Sequence, residues 1–253
     1  VINRYGSLAA EVYRLDKPVG HSFGDVEFYR ERLAGCRGPV LEPAVGTGRV
    51  LVPLLEAGYD VRGFDTSPEM LDLCRAECRE RGLDADLSLQ GFADFSCDAG
   101  VEAVIVPAGS FQLVTDADEA RAILARFHKV LAPGGRLILD LDPLSDLAAP
   151  PAPARHWAAG EDLLTLTVSP VEIDFVRQTS VSHLRYEHWR AGRLVAAEIE
   201  LFALRYWGVV EFELALREAG FTGIAISGNY RHGEAPEADA RAITFEACAG
   251  PTG

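Results

Sequence analysis

Glu42, Gly46 and Gly48 stand together in LEPAVGTGRV, residues 41–50, between two apolar runs. Asp65 follows Gly48 by 17 residues, at the end of a second apolar run, YDVRGFD. An acid, a two-glycine loop and a second acid is a set that can hold a polar nucleoside-like ligand. Two phosphate-binding readings fail on the neighbours. A triphosphate loop needs Lys and then Ser or Thr after its last glycine, and Gly48 is followed by Arg49 and Val50. A dinucleotide loop of the form GxGxxG needs a third glycine where this chain has Leu51, and glycine there lets the helix close on the strand around a pyrophosphate.

A sulfonium nucleoside fits better. S-adenosyl-L-methionine (SAM) carries an ammonium, a carboxylate and a sulfonium but no phosphate. Glu42 at a strand end can help to hold the ammonium, and glycines let the backbone approach the ligand without Cβ clashes. Asp65 can accept both ribose hydroxyls, as an acid does in nucleotide-binding sheets, although an NAD site would ask for the same acid.

These residues need a scaffold that brings strand ends together. Strand-like runs at 39–42, 59–65, 86–90, 102–107 and 136–142 alternate with helical stretches. Ser67 before Pro68 is a clear helix start, Asp116 caps another, and Gly58 and Gly82 fall just past helix ends. Pro53 fits its helix only within the first turn. Alternation of this kind predicts a parallel sheet covered by helices on both faces, with ligands at the carboxyl ends of the strands. After a Pro/Ala-rich connector at 147–154 the texture changes. LLTLTVSP, VEIDFVRQ, SVSHLRYEHWR and LVAAEIELFALRYW read as successive antiparallel strands, with a hairpin turn at Ala191–Arg193. A helix at 209–221 and two last strands close the chain.

The ordered set resembles the class I SAM-dependent methyltransferases, in their small-molecule branch. VLEPAVGTGRVLVPLLEAGYDVRGFDTSPEML is similar to the first two family motifs, LAPGGRLILDLD to the turn and fifth strand, and LREAGF to the helix before the last two strands. The resemblance spans about residues 40–247. It implies an α/β, doubly wound, mostly parallel seven-stranded sheet with an antiparallel β insertion after the fifth strand. The implied organisation is an N-terminal helical lid at 1–38, a SAM-binding core at 39–146 and 208–249, and an insertion at 147–207 lining the substrate pocket. Glu42, Ala44, Gly46 and Gly48 would line the methionine end, Asp65 would hold the ribose, and Thr66 and Met70 would flank the adenine. LQGFADF departs from the common third motif, so Gln90, Gly91 and Phe92 are the implied adenine-side residues. Ala108, Gly109, Ser110 and Phe111, in the segment after the fourth strand, would border the transferred methyl, and Tyr13 is the expected lid residue over the cofactor.

Methyl transfer from a sulfonium needs alignment, exclusion of water and, for a poor nucleophile, removal of a proton. In the insertion, Leu184, Tyr186 and His188 share one strand face. Tyr186 and His188 are therefore the catalytic candidates, His188 as a base titrating near neutrality or else as an edge histidine. No metal site is expected. The implied function is methyl transfer to N, O or C of a small molecule, with specialised metabolism as a context. The alternatives are a non-methylating SAM reaction such as cyclisation, or a non-catalytic SAM-binding module.

Composition narrows the partners. A net charge of −14 disfavours nucleic acid, which rewards a basic surface. No apolar run approaches a membrane span of roughly 20 residues. The N-terminus lacks the layout of a secretory signal, and the odd count of five cysteines has no CxxC pair, so a reduced cytoplasmic protein is expected. The expected partner is a small-molecule acceptor, with a homodimer left open.

Overall fold

A computed structural model describes residues 2–98 and 100–250. Two helices open the chain, α1 (Ser7–Asp16) and α2 (Asp25–Arg32). The alternating part follows as β1 (Val40–Pro43), α3 (Leu51–Glu56), β2 (Val61–Asp65), α4 (Pro68–Glu80), β3 (Asp86–Leu89), β4 (Val101–Val106), α5 (Ala117–Val130) and β5 (Leu131–Leu141). Next come β6 (Arg155–Ala159), β7 (Asp162–Asp174), β8 (Thr179–Arg190) and β9 (Arg193–Arg205). The chain then returns through α6 (Val209–Glu218), β10 (Phe221–Gly228) and β11 (Ile243–Ala249).

The main sheet has seven strands in the order β10-β11-β5-β4-β1-β2-β3. All lie parallel except β11, which runs antiparallel to both neighbours. Strand order reverses between β1 and β4, the place where an open α/β sheet leaves a crevice for a ligand. Period-two side chains separate the two faces. On one face Val40, Val61, Ala103 and Ile105 pack under α2, α3 and α4 through Tyr29, Leu51, Leu54, Leu71 and Cys74. On the other, Leu41, Phe64, Val104, Val106 and Leu139 pack under α5 and α6 through Ile123, Phe127, Phe212 and Leu216. Ser67 caps α4 by accepting the Met70 amide at 3.1 Å, and Asp116 caps α5 through two amides. Pro53 is the third residue of α3 and needs no internal hydrogen-bond partner there.

The insertion is a separate antiparallel sheet, β6-β7-β8-β9. Its composition corrects the strand reading in two places. LLTLTVSP and VEID form one bulged strand, β7, while Phe175–Gln178 make the turn into β8. The fourth strand is β6, directly after the Pro/Ala-rich connector. The PGG at 133–135 is likewise no turn ahead of a strand but the bulged start of β5 itself.

Helix α1 lies across the inner face of this second sheet. Leu8, Ala9 and Val12 pack against Leu164, Leu166, Leu184 and Tyr186. The helix begins after Gly6, which has no side chain to cap it. Glu198 of β9 supplies the cap instead, accepting the Leu8 and Ala9 amides at 3.0 and 3.4 Å.

Candidate functional site

A cavity of about 500 Å³ opens over the carboxyl ends of β1 to β4, within the roughly 300–1,000 Å³ usual for small-molecule sites. Ala44 and Gly46 form one wall, both with left-handed φ, 53° and 56°. A Cβ added at Gly46 would meet no atom within 4 Å, since it would point into the open cavity. Asp65, Thr66 and Met70 follow along the rim from β2 into α4, and Gln90, Gly91 and Phe92 close the far side. Tyr13 covers the opening together with Tyr5, the two rings edge to face at 6.4 Å. The last wall comes from the segment after β4, with Ser110, Leu113 and Val114.

The Asp65 carboxylate is held on both oxygens. Oδ2 accepts the Gly46 amide at 2.9 Å and Oδ1 the Ser67 amide at 2.9 Å. Burial raises its pKa, and those amides oppose the rise. The same acid thus shapes the glycine loop, starts α4 and leaves lone pairs for two vicinal hydroxyls.

Three of the residues expected to bind the cofactor do not line this cavity. Gly48 lies behind it. A Cβ there would come within 2.7 Å of Cys74 Sγ and 3.1 Å of Val52 Cγ2, so the glycine lets the loop seat on α4. Glu42 lies buried beneath the loop, its Oε2 without a hydrogen-bond partner among the described residues. Burial pushes its carboxyl up to about 8, Arg49 opposing and Asp25 and Asp65 adding to the rise. An orphaned buried acid in this place is costly unless a cationic group completes it. Ala108 is exposed, has φ 55°, and donates its amide to Asp140 at 3.2 Å.

Neither Tyr186 nor His188 reaches the cavity. Tyr186 is buried beneath α1, where desolvation holds its phenol well above the usual range. His188 lies further along the same strand face, its Nε2 2.7 Å from Asp162 Oδ1, on a carboxylate that Arg190 also pairs. At Leu184 and Tyr186 this face is covered by α1.

Several polar residues near the site gave no sequence signal. Arg49 Nη2 lies 2.5 Å from Asp25 Oδ2, and its Nη1 donates to the His21 carbonyl at 2.8 Å. The first two helices are thereby tied to the glycine loop. Asp140, inside β5, accepts from Thr244 Oγ1 at 2.8 Å and from the Tyr230 hydroxyl at 3.3 Å. Burial pushes its carboxyl up to about 7, with the Thr244 hydroxyl and the Ala108 amide opposing. Asp94 lines the cavity and accepts the Gly91 amide at 3.1 Å.

Comparison with known proteins agrees with this geometry. A methyltransferase domain matches residues 40–135. A glycine/sarcosine N-methyltransferase of Parasynechococcus marenigrum (strain WH8102) is 29% identical over 198 residues, which are 76% of this chain and 66% of that protein. A ubiquinone biosynthesis O-methyltransferase of Xanthomonas axonopodis pv. citri (strain 306) is 23% identical, over 81% of this chain and 92% of that one. Among solved structures, the CcbJ methyltransferase from Streptomyces caelestis superposes with a TM-score of 0.77 at 20% identity, covering 97% of this chain and 98% of that one.

Residues 40–135 match a methyltransferase domain, and the chain has the fold of solved SAM-dependent methyltransferases. It is an enzyme of that class, and S-adenosyl-L-methionine is its cofactor. No described helix is long and apolar enough to cross a membrane.

Proposed function

We propose that this chain transfers the methyl group of SAM to a small molecule held between the strand ends and the N-terminal helices. The observation that carries the reading is the Asp65 carboxylate, fixed on the Gly46 and Ser67 amides at the rim of the cavity. The residues present fit the cofactor. Asp65 accepts the ribose hydroxyls, and Thr66 and Met70 flank the adenine, with Gln90, Gly91 and Phe92 on its far side. Ala44 and Gly46 let the backbone approach the methionine portion, while Gly48 seats the loop on α4. Glu42, whose Oε2 lacks a partner, is the acid available to its ammonium.

When bound, SAM supplies an activated methyl on a good leaving group. The work left to the protein is alignment and exclusion of water. Tyr5 and Tyr13 cover the site, and α1 holds them by docking on the insertion through Glu198. Residues 1–38 thus act as a lid and 147–207 as the platform on which it rests. Names of relatives do not choose the accepting atom, since one is an N- and another an O-methyltransferase.

The test is incubation with methyl-labelled SAM and a panel of small amines, alcohols and activated carbon acids. Label in an acceptor, matched by S-adenosylhomocysteine, is the expected result. Demethylated cofactor without a methylated acceptor, or a cyclised cofactor, would contradict methyl transfer.

A further inference from the structure

Residues 2–5 run as a strap from β9 to the start of α4. Ile2 bridges Leu201 of β9 in parallel register, and the Asn3 amide donates to the Leu201 carbonyl at 2.9 Å. The Asn3 side chain then pairs with the backbone of Ala203 much as a strand would. Its Oδ1 accepts the Ala203 amide at 2.9 Å, and its Nδ2 donates to the Ala203 carbonyl at 3.0 Å. The same Nδ2 donates to the Leu113 carbonyl at 3.4 Å. Further on, the Tyr5 amide donates to Glu200 Oε1 at 3.0 Å, and the Tyr5 carbonyl accepts the Ser67 hydroxyl at 2.8 Å. Ile2, Asn3 and Tyr5 all line the cofactor cavity.

The strap is not a relaxed segment. Asn3 and Tyr5 hold left-handed φ, 55° and 52°. Asparagine tolerates that region, but a bulky tyrosine stays there only where its surroundings hold it. The hydrogen bonds that hold it come from β9 and Ser67, both distant in sequence. A segment secured in this way has two arrangements, held and released. Its far anchor is also the ribose site. Ser67 gives its own amide to the Asp65 carboxylate, so a ligand on Asp65 lies next to the strap.

We propose that Asn3 is a positioning residue that latches this strap, and that SAM and its demethylated product pass in and out of the cavity when the strap parts from β9. The inference rests on the SAM site proposed above. The side-chain bonds of Asn3 are made to protein groups, so the latch does not depend on the ligand. Weakening it populates the released arrangement with and without cofactor alike. Entry and release then quicken together, and affinity hardly moves. A residue that merely gripped the ligand would change release alone.

The experiment uses the full chain preloaded with methyl-labelled SAM. Release is followed by chasing with excess unlabelled SAM, entry by rapid mixing at several SAM concentrations, and Kd by calorimetry. Asn3→Ala removes three hydrogen bonds and should quicken entry and release by at least about tenfold each. Its Kd should stay within about threefold of wild type. A second variant closes the latch instead. Neighbouring strands lie about 4.8 Å apart, within reach of a disulfide, and Ile2 and Leu201 are both exposed. Oxidised Ile2→Cys/Leu201→Cys should slow entry and release together by at least about tenfold, and reductant should restore both. Unchanged rates in Asn3→Ala, faster release alone with an equal loss of affinity, a crosslink that does not form, or a crosslinked chain that exchanges as fast as the reduced one would overturn the latch. Failure of the wild-type chain to bind SAM would instead overturn the cofactor reading beneath it.

Discussion

Arg49, directly after the last glycine of the loop, is paired with Asp25, the first residue of α2, at 2.5 Å, and both side chains are almost wholly buried. Burial pushes the Asp25 carboxyl up, but the Arg49 hydrogen bond and charge outweigh it and hold it below its ordinary value. The same pairing holds the Arg49 guanidinium above its own. The pair fastens the N-terminal helices to the loop that borders the cofactor cavity. Removing one partner strands a charge in low dielectric.

Arg49→Met should therefore cost about 3–5 kcal/mol, measured by urea unfolding. The double variant Arg49→Met/Asp25→Leu should cost clearly less than the two single changes added together. Additive costs would mean that the two charges are not coupled.

The buried acids set a pH dependence of the opposite sense to the usual one. Glu42 and Asp140 are raised by burial, to about 8 and about 7, from unfolded values near 4. Between those values the folded state binds more protons than the unfolded state, so their contribution to stability is full at low pH. It falls as pH rises towards about 8. Unfolding free energy of the unliganded protein should drop over pH 5–8, by up to about 1.4 kcal/mol per unit for each such proton. Glu42→Gln should flatten that slope. A slope unchanged by the substitution would show that Glu42 is not the titrating group.

The loop also makes a packing prediction. A methyl at Gly48 would meet Cys74 Sγ at 2.7 Å, and φ there is 83°. Gly48→Ala should destabilise by about 1–3 kcal/mol from overpacking plus about 1 kcal/mol from the left-handed backbone. Cys74→Ala in the same chain should recover the packing part and leave the backbone part. If thermal unfolding shows no recovery, the contact does not limit the loop.

These residues also show where sequence reading succeeds. Ser67, Pro68 and Asp65 were legible because a helix cap and a strand-end acid are local patterns, and the structure places their partners within a few residues. The layered α/β core was legible because alternate positions such as Val40 and Leu41 go to opposite faces. Asp25 with Arg49, and Asp142 with Gln112, join residues 24 and 30 apart through tertiary packing, and no spacing rule announces them. For Tyr186 the period-two pattern gives the strand face, but only the docking of α1 decides what that face touches. β6 escaped because it follows a Pro/Ala-rich run directly, without an alternating signal of its own.

The central claim is that Asp65 anchors SAM in the cavity over the strand ends, and titration calorimetry with SAM tests it most directly. The wild-type chain should bind one SAM, and Asp65→Ala should bind it at least about tenfold more weakly, since a hydrogen bond to a charged group is worth roughly 1.5–3 kcal/mol. The loss should exceed any fall in the folded fraction, followed by circular dichroism on the same samples. Equal affinity in a folded Asp65→Ala chain would contradict the assignment.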